Sequence, residues 1–165
     1  MRRIIFLLCL WSTAAFAFEP SVLHGPWAAH QQRTGQPDRY FFLTVQPDLS
    51  GVLVRTRKGE RITRTFSPDD TRTGEAYLEV SLPADETAIL WAWRQSNGRH
   101  RVNGLLFEEG RAAPVRNMLP VPLEYLGPDH ALRKDPVIGA LLEKYPFHGS
   151  VEKRQPRRTR PIGDL

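Results

Sequence analysis

The stretch from Thr87 to Phe107 constrains the fold more than any other part of this sequence. It contains two runs rich in β-branched and aromatic residues, separated by an Asn97-Gly98 pair. Asn-Gly favours a type I′ turn, because both central positions of that turn need φ > 0 and its twist matches that of the flanking strands. The stretch therefore predicts a hairpin of two antiparallel strands.

Alternation along the first strand of this hairpin separates its large side chains from its smaller ones. Ile89, Trp91 and Trp93 share one strand face. The other face carries Ala88, Leu90, Ala92 and Arg94. Because two tryptophans bury a large apolar area together, we expect the face with Trp91 and Trp93 to lie at the centre of a β core.

Similar alternating runs, joined by short turns, follow one another along the chain. The predicted strands cover residues 23–32, 39–45, 52–57, 61–66, 77–82, 87–94, 101–107 and 115–126. Short connections make sequence neighbours into antiparallel partners. The sequence therefore predicts a mainly β fold, an up-and-down antiparallel meander of about eight strands that forms a barrel or a half-open barrel.

Two segments depart from this simple pattern. Arg64 shares a strand face with Ile62 and Phe66, which breaks the alternation of strand 61–66. The polar stretch from Ser67 to Gly74 contains a proline and two adjacent aspartates, and it is predicted to be a loop.

Prolines interrupt the last predicted strand. Pro114, Pro120 and Pro122 all lie at even positions, so the backbone nitrogens that lack a hydrogen share one side of the strand. A central strand cannot lose three donors on one side. We expect either a barrel that is open along this edge or an irregular, polyproline-like strap after Met118.

A short helix is predicted within the C-terminal segment 127–148. Asp135-Pro136 favours a helix start, because Asp caps the first turn and Pro fits the first helical position. Apolar residues recur at helical spacing, and Pro146 ends the pattern. They are Ile138, Leu141, Leu142 and Tyr145. Because so short a helix is marginal by itself, we expect this stripe to dock on the sheet.

Residues 149–165 lack an apolar period and are predicted to form a disordered basic tail. The tail is either a solvated terminus or a weak electrostatic contact with an anionic membrane surface. The tail and residues 1–17 account for the net charge of +5, so the predicted barrel at residues 18–126 is close to neutral. A nucleic-acid-binding domain needs a basic face on its body, so we expect no nucleic-acid partner.

Residues 1–17 have the pattern of a secretory signal. Arg2 and Arg3 precede the apolar run Ile4 to Trp11, which is too short to span a bilayer. Small residues then lead to a cleavage site near Ala17, so we expect export to the periplasm or secretion. The lone Cys9 lies inside this run, and the mature chain would fold without disulfides.

Gly25 and Trp27 form a Gly-x-Trp pattern at the start of the first predicted strand. With an eight-strand meander and a helix after the last strand, this pattern resembles the lipocalin family and the wider calycin group. The resemblance implies that Trp27 closes one end of the barrel. It also implies that an arginine from near the last strand packs across that tryptophan, and Arg116 is the candidate.

No recognisable catalytic or metal-binding motif accompanies these features. The five histidines lack metal-ligand spacing, and neither a nucleophile elbow nor a phosphate-binding glycine loop is present in the sequence. We therefore expect no metal and no cofactor, and we favour a binding protein; an enzyme would require a constellation of residues that the sequence cannot reveal.

Two hypotheses for function differ in what fills the barrel. In the first, an exported lipocalin-like protein binds an apolar or amphipathic small ligand inside the barrel. Its candidate lining residues are Phe41, Leu43, Trp91 and Trp93. In the second, side chains fill the core, and the protein is a non-enzymatic interaction module of the cell envelope that binds another protein. The sequence specifies neither the ligand nor the partner nor the oligomeric state.

Overall fold

A computed structural model describes residues 19–57, 59–84, 86–94, 100–108, 117–118 and 122–150. The predicted signal, the Asn97-Gly98 pair, Arg116 and the tail from residue 151 onward lie outside the described residues. The side chain of Trp93 also lies outside the described part of the structure.

The described strands form one antiparallel sheet. They are β1 (Gly25–Gln31), β2 (Arg39–Val45), β3 (Gly51–Arg57), β4 (Glu60–Phe66), β5 (Thr71–Thr73), β6 (Leu78–Leu82), β7 (Glu86–Arg94), β8 (His100–Glu108), β9 (Asn117–Met118) and β10 (Leu123–Tyr125). Nine of them follow the order β4-β3-β2-β1-β10-β8-β7-β6-β5, and β9 pairs with β8. The sheet curls into a nearly closed barrel, which confirms the prediction of a mainly β antiparallel fold.

The two ends of the strand order meet where the chain passes from β4 to β5. These strands stand at the two ends of the strand order, yet they are consecutive in sequence, with only the 3-10 turn Pro68–Asp70 between them. β4 pairs with β3, and β5 pairs with β6. β4 also approaches β6, but no ladder joins these two strands in the described residues.

The prediction that Ser67 to Gly74 is a loop is therefore wrong in part. The backbone nitrogen and the hydroxyl of Ser67 each donate to Asp70 Oδ2 at 2.7 Å, and this capping box forms the 3-10 turn. β5 follows immediately, and its residues are exposed or only half-buried. An edge strand with little buried surface has no hydrophobic alternation for a sequence reading to detect.

The last predicted strand is split into β9 and β10. β10 pairs with β1 through Tyr125 and Trp27, and with β8 through Leu123 and Val102. Along β10 the expected open edge is absent, because β10 is hydrogen-bonded to a strand on each side. Pro114 and residues 119–121, which include Pro120 and the start of the predicted strap after Met118, lie outside the described residues. Pro122 precedes β10 directly, so its missing N–H falls outside the ladder.

The pairing of β7 with β8 also differs from the expected hairpin. Arg94 pairs with His100, whereas a two-residue turn at Asn97-Gly98 would pair Arg94 with Arg101. The observed register is thus offset by one residue from the expectation. The residues of the turn itself lie outside the described residues.

A packed apolar cluster occupies the inside of the barrel. Its members are Leu23, Trp27, Ala29, Phe41, Leu43, Val45, Leu53, Phe66, Leu78, Val80, Leu82, Ala88, Leu90, Val102 and Leu123. Trp27, Leu43 and Val102 have no accessible surface at all. Because the wall of any void that admits water counts as accessible surface, these three side chains face no such void.

The C-terminal helix α1 (Pro136–Lys144) packs on the outside of the barrel. Its buried residues Ile138 and Leu141 join Phe42, Val52 and other outward residues of β1 to β3 in a second apolar cluster. Asp135 Oδ1 accepts hydrogen bonds from the backbone nitrogens of Val137 and Ile138, in the first turn of α1, at 2.9 and 3.1 Å. These bonds confirm the predicted cap. No helix in the described part of the chain is long and apolar enough to cross a membrane.

Candidate interaction surface

Gly25 and Trp27 lie at one end of the barrel, at the start of β1, and we call this end the Trp27 end. The 3-10 turn Pro20–Leu23 precedes β1 there, and Trp27 Nε1 donates to the Leu23 carbonyl oxygen at 2.7 Å. The Trp27 ring meets Tyr125 edge to face, with centroids 5.2 Å apart. Gly25 has φ +128°, and a Cβ there would lie 2.5 Å from Tyr125 Cε2. Glycine is therefore required by both its backbone conformation and its neighbour.

The predicted lining residues do not all lie on one surface. Phe41 and Leu43 belong to the packed interior, where they are 5% and 0% exposed. Trp91 lies half-buried on the opposite face of β7 from Leu90, and Leu90 is the residue that packs inside. The expected grouping of Leu43 with Trp91 is thus wrong. The role of these residues in ligand binding stays a prediction.

The space inside the barrel explains this placement of Trp91. Trp27, Phe41 and Phe66 already occupy the interior, and β7 and β8 contribute Leu90 and the paired Gly104. Alternation shows which residues share a face, but only the volume available inside decides which face turns inward.

An aromatic surface therefore lies on the outside of β6 and β7. Leu78 pairs with Leu90, so continuing the register by one residue places Tyr77 opposite Trp91. Ile89 lies on the same outer face, half-buried. We call Tyr77, Ile89 and Trp91 the outer aromatic surface.

Tyr77 is held in place on this surface although it is 37% exposed. A Cβ at Gly74 would collide with the Tyr77 ring, so the ring lies directly on the glycine. The Gly74 nitrogen also donates to the Tyr77 carbonyl oxygen at 2.9 Å. The Tyr77 ring is therefore positioned by contacts within its own turn.

A buried ionic cluster lies inside the barrel, and the sequence pattern does not predict it. Arg55 Nη2 lies 2.7 Å from Glu86 Oε1, and Arg64 Nε lies 3.0 Å from Glu86 Oε2. The Glu86 side chain is 7% exposed, and it joins β7 to β3 and β4 where β4 has no ladder with β6. The only sequence signal is Arg64, whose place on an apolar strand face breaks the alternation of β4.

Two histidines tie the C-terminal segment to the outside of the barrel. His30 of β1 lies 2.8 Å from Asp38 and 3.3 Å from Asp135, and its ring stacks on Tyr40. The hydrogen bond with His30 lowers the pKa of Asp38, and burial, followed by the nearby carboxylates, raises the pKa of Tyr40. In the 3-10 turn before α1, His130 Nε2 lies 3.0 Å from Glu124 Oε2. These contacts position the helix against β1 and β10.

No protein-family model matches this chain, and neither the curated proteins nor the solved structures contain a significant match. Among the described residues, no three His, Cys, Asp or Glu side chains form a group that could hold a metal ion. Three features of the described residues bear on function: the packed interior, the Trp27 end and the outer aromatic surface.

Proposed function

We propose that this chain is a non-enzymatic interaction module of the cell envelope that binds a protein through its outer surface. The packing inside the barrel carries this proposal. Trp27 and Leu43 face no void that admits water, and the Glu86 cluster occupies interior space between β3, β4 and β7. A ligand that lay along Leu43 would have to displace packed side chains at a cost of several kcal/mol.

The outer aromatic surface is the contact that we propose for the partner. Tyrosine and tryptophan are the residues most enriched at the energetic centres of protein interfaces. Because the Tyr77 ring already lies on Gly74, binding restricts this side chain little further, and the entropy cost of ordering it is small. We expect the partner to present an apolar patch that covers the Tyr77 ring.

Photo-crosslinking in intact cells tests this proposal. A photoreactive residue at Tyr77 should capture one envelope protein, and the same residue at the exposed Glu143 of α1 should not. With the captured protein purified, Tyr77→Ala should weaken binding about tenfold or more, a loss typical of an interface anchor. Glu143→Ala should leave the affinity unchanged. Equal capture at both positions, or equal affinity of both variants, would contradict the proposal.

A lipocalin-like binder of an apolar or amphipathic small molecule is the second candidate. The observations in its favour lie at the Trp27 end, where Trp27 is fully buried and its Nε1 donates to the Leu23 carbonyl oxygen of the 3-10 turn before β1. This candidate predicts that an apolar fluorescent probe binds one-to-one and is displaced by a lipid extract. Leu43→Trp, which fills the interior further, should abolish that binding. Absence of saturable probe binding by the unaltered protein would reject this candidate and leave the interaction module.

A further inference from the structure

A small cavity lies at the Trp27 end, away from the outer aromatic surface, and Tyr125 separates it from Trp27 of the packed interior. Its volume is about 220 Å³. The walls are formed by Ser21 and His24 near the N-terminal turn, Pro47 of the β2–β3 turn, Tyr125 of β10, and Phe147 and Ser150 after α1. The cavity thus joins four distant parts of the chain. It is smaller than the pockets of drug-sized ligands, so it suits a single ring.

The segment after α1 is fixed in place by one glutamine. Gln46 Nε2 donates to the Pro146 carbonyl oxygen at 2.8 Å, and Gln46 Oε1 accepts from the His148 nitrogen at 2.9 Å. These two bonds flank Phe147 on both sides in sequence. The Phe147 ring is consequently held at the cavity without being part of either apolar cluster.

Gly149 completes the wall by allowing a close approach. A Cβ at this position would lie 2.5 Å from Phe147 Cζ and 3.1 Å from Pro47 Cγ. Any larger residue would push the phenylalanine ring or the proline away from its present place. The cavity is therefore a preformed feature of the fold.

The chemistry of the wall selects an uncharged ring that carries hydroxyl groups. Two aromatic rings and a proline offer apolar contacts, and two serine hydroxyls can donate and accept hydrogen bonds. The His24 imidazole adds a further group that can donate or accept a hydrogen bond, whereas lysine, arginine, aspartate and glutamate are absent from the described wall. We propose that this cavity binds one uncharged pyranose ring, packed against Tyr125 or Phe147 and hydrogen-bonded to Ser21 and Ser150.

This site goes beyond the proposed protein interaction, because none of its wall residues lies on β6 or β7. A ring of about a dozen non-hydrogen atoms in a half-open cavity should bind with about millimolar affinity. Such binding is within reach of amide chemical-shift titration of the full mature chain.

The titration compares methyl glucopyranoside with two controls of similar size, a ring with a single hydroxyl group and an open-chain polyhydroxy anion. Methyl glucopyranoside should shift the amides of Ser21, Phe147 and Ser150 in a saturable manner, whereas cyclohexanol and gluconate should not. Free glucose is titrated in parallel. Weaker binding of glucose than of the glycoside would indicate that the natural ligand is a sugar linked into a chain, and equal binding would indicate a free, soluble sugar. Either result supports a pyranose site.

Two variants locate the binding. Phe147→Ala should weaken the affinity for methyl glucopyranoside about tenfold, a loss typical of one stacking contact. Tyr77→Ala removes an aromatic ring away from the cavity and should leave the affinity unchanged. If Phe147→Ala proves unfolded by circular dichroism, Ser150→Leu, which narrows the cavity from its outer segment, replaces it with the same expected loss.

Three titration results would overturn the site. These are no saturable shift with either sugar, a stronger response to cyclohexanol than to the glycoside, or equal binding by the Phe147→Ala and Tyr77→Ala variants. None of them bears on crosslinking at Tyr77, so failure of this site is distinguishable from failure of the proposed interaction. Sugar binding that vanishes when the chain is truncated after Ser150 would also overturn it, because the binding residues would then lie in 151–165.

Discussion

The ring of Tyr125 lies directly against Gly25, so a Cβ on the glycine would be 2.5 Å from Tyr125 Cε2. The φ of +128° at Gly25 adds backbone strain for any other residue. We expect Gly25→Ala to lower the free energy of unfolding by about 1–3 kcal/mol from the backbone alone. The collision with Tyr125 adds to this cost, and urea denaturation measures the total.

A double-mutant cycle separates the two causes. In a Tyr125→Ala background, Gly25→Ala should cost only the backbone part, because the ring is gone. The coupling energy between the two substitutions should therefore differ from zero by at least ~0.5 kcal/mol. Simple additivity would show that the tyrosine ring does not constrain this glycine.

Leu90 and Trp91 are neighbours in β7 with opposite environments. Leu90 is 2% exposed inside the barrel, and Trp91 is half-buried on the outer aromatic surface. Leu90→Ala should cost about 2–5 kcal/mol, because it opens a cavity in a packed interior. Trp91→Ala should cost less, although it deletes the larger side chain. Urea midpoints of both variants provide the test, and the reverse order would mean that the tryptophan face is the inner one.

The parts of the fold that depend on local signals can be predicted from the sequence. Asp135-Pro136 starts α1 as expected, and strand β2 has the expected bounds Arg39–Val45. Capping and alternation act within a few residues, so a reader of the sequence can evaluate them. The inward face of β7 cannot be evaluated in this way, because it depends on how much room Phe41 and Phe66 leave inside.

The ionic cluster illustrates why contacts between distant parts of the chain cannot be predicted from this sequence. Arg55 and Glu86 are 31 positions apart, and they meet only because the barrel brings β3 and β7 together. Glu86 follows Pro83 and Ala84 in what the sequence presents as a turn, and the structure makes it the first residue of β7. A contact between charged residues far apart in sequence produces no hydrophobic periodicity in the sequence around either residue, so periodicity cannot predict it.

The contact between Asp38 and His30 predicts a pH dependence. The pKa of Asp38 is lowered from its usual 3.8, chiefly by the hydrogen bond with His30. A carboxyl group with a lowered folded-state pKa stabilises the fold above its unfolded pKa, and this contribution is lost as the pH falls through the folded pKa. We therefore expect Asp38→Asn to lower the Tm at pH 6, with a difference from the unaltered protein that shrinks below pH 3.8.

Thermal unfolding between pH 6 and pH 2.5 checks this expectation. Asp69→Asn is a suitable control, because Asp69 is an exposed residue of the turn before β5. A Tm difference for Asp38→Asn that stays constant over the whole range would show that the carboxylate charge does not contribute through His30.

Glu86 should be the most sensitive charged position inside the barrel. Its carboxylate accepts from Arg55 at 2.7 Å and from Arg64 at 3.0 Å, and it is 7% exposed. Removal of one member of a buried ionic contact typically costs about 3–5 kcal/mol. We expect Glu86→Gln to lose stability on that scale, and Arg64→Met to lose less, because the Arg64 side chain is 24% exposed and solvent already reaches it.

The strands that lose stability in Glu86→Gln show whether the ionic cluster holds the seam between β4 and β6 together or is an ordinary buried ion pair. No ladder joins β4 to β6 in the described residues, so the cluster is the polar contact that holds β4 against the start of β7. In Glu86→Gln, amide hydrogen exchange should accelerate first in β4 and β6, before β1 and β2. Glu79→Gln, on the outer face of β6, should change stability by no more than ~0.5 kcal/mol. A contact that holds the seam should release its own strands before the distant ones. If amide hydrogen exchange in Glu86→Gln accelerated uniformly across the barrel, the seam between β4 and β6 would therefore not depend on Glu86.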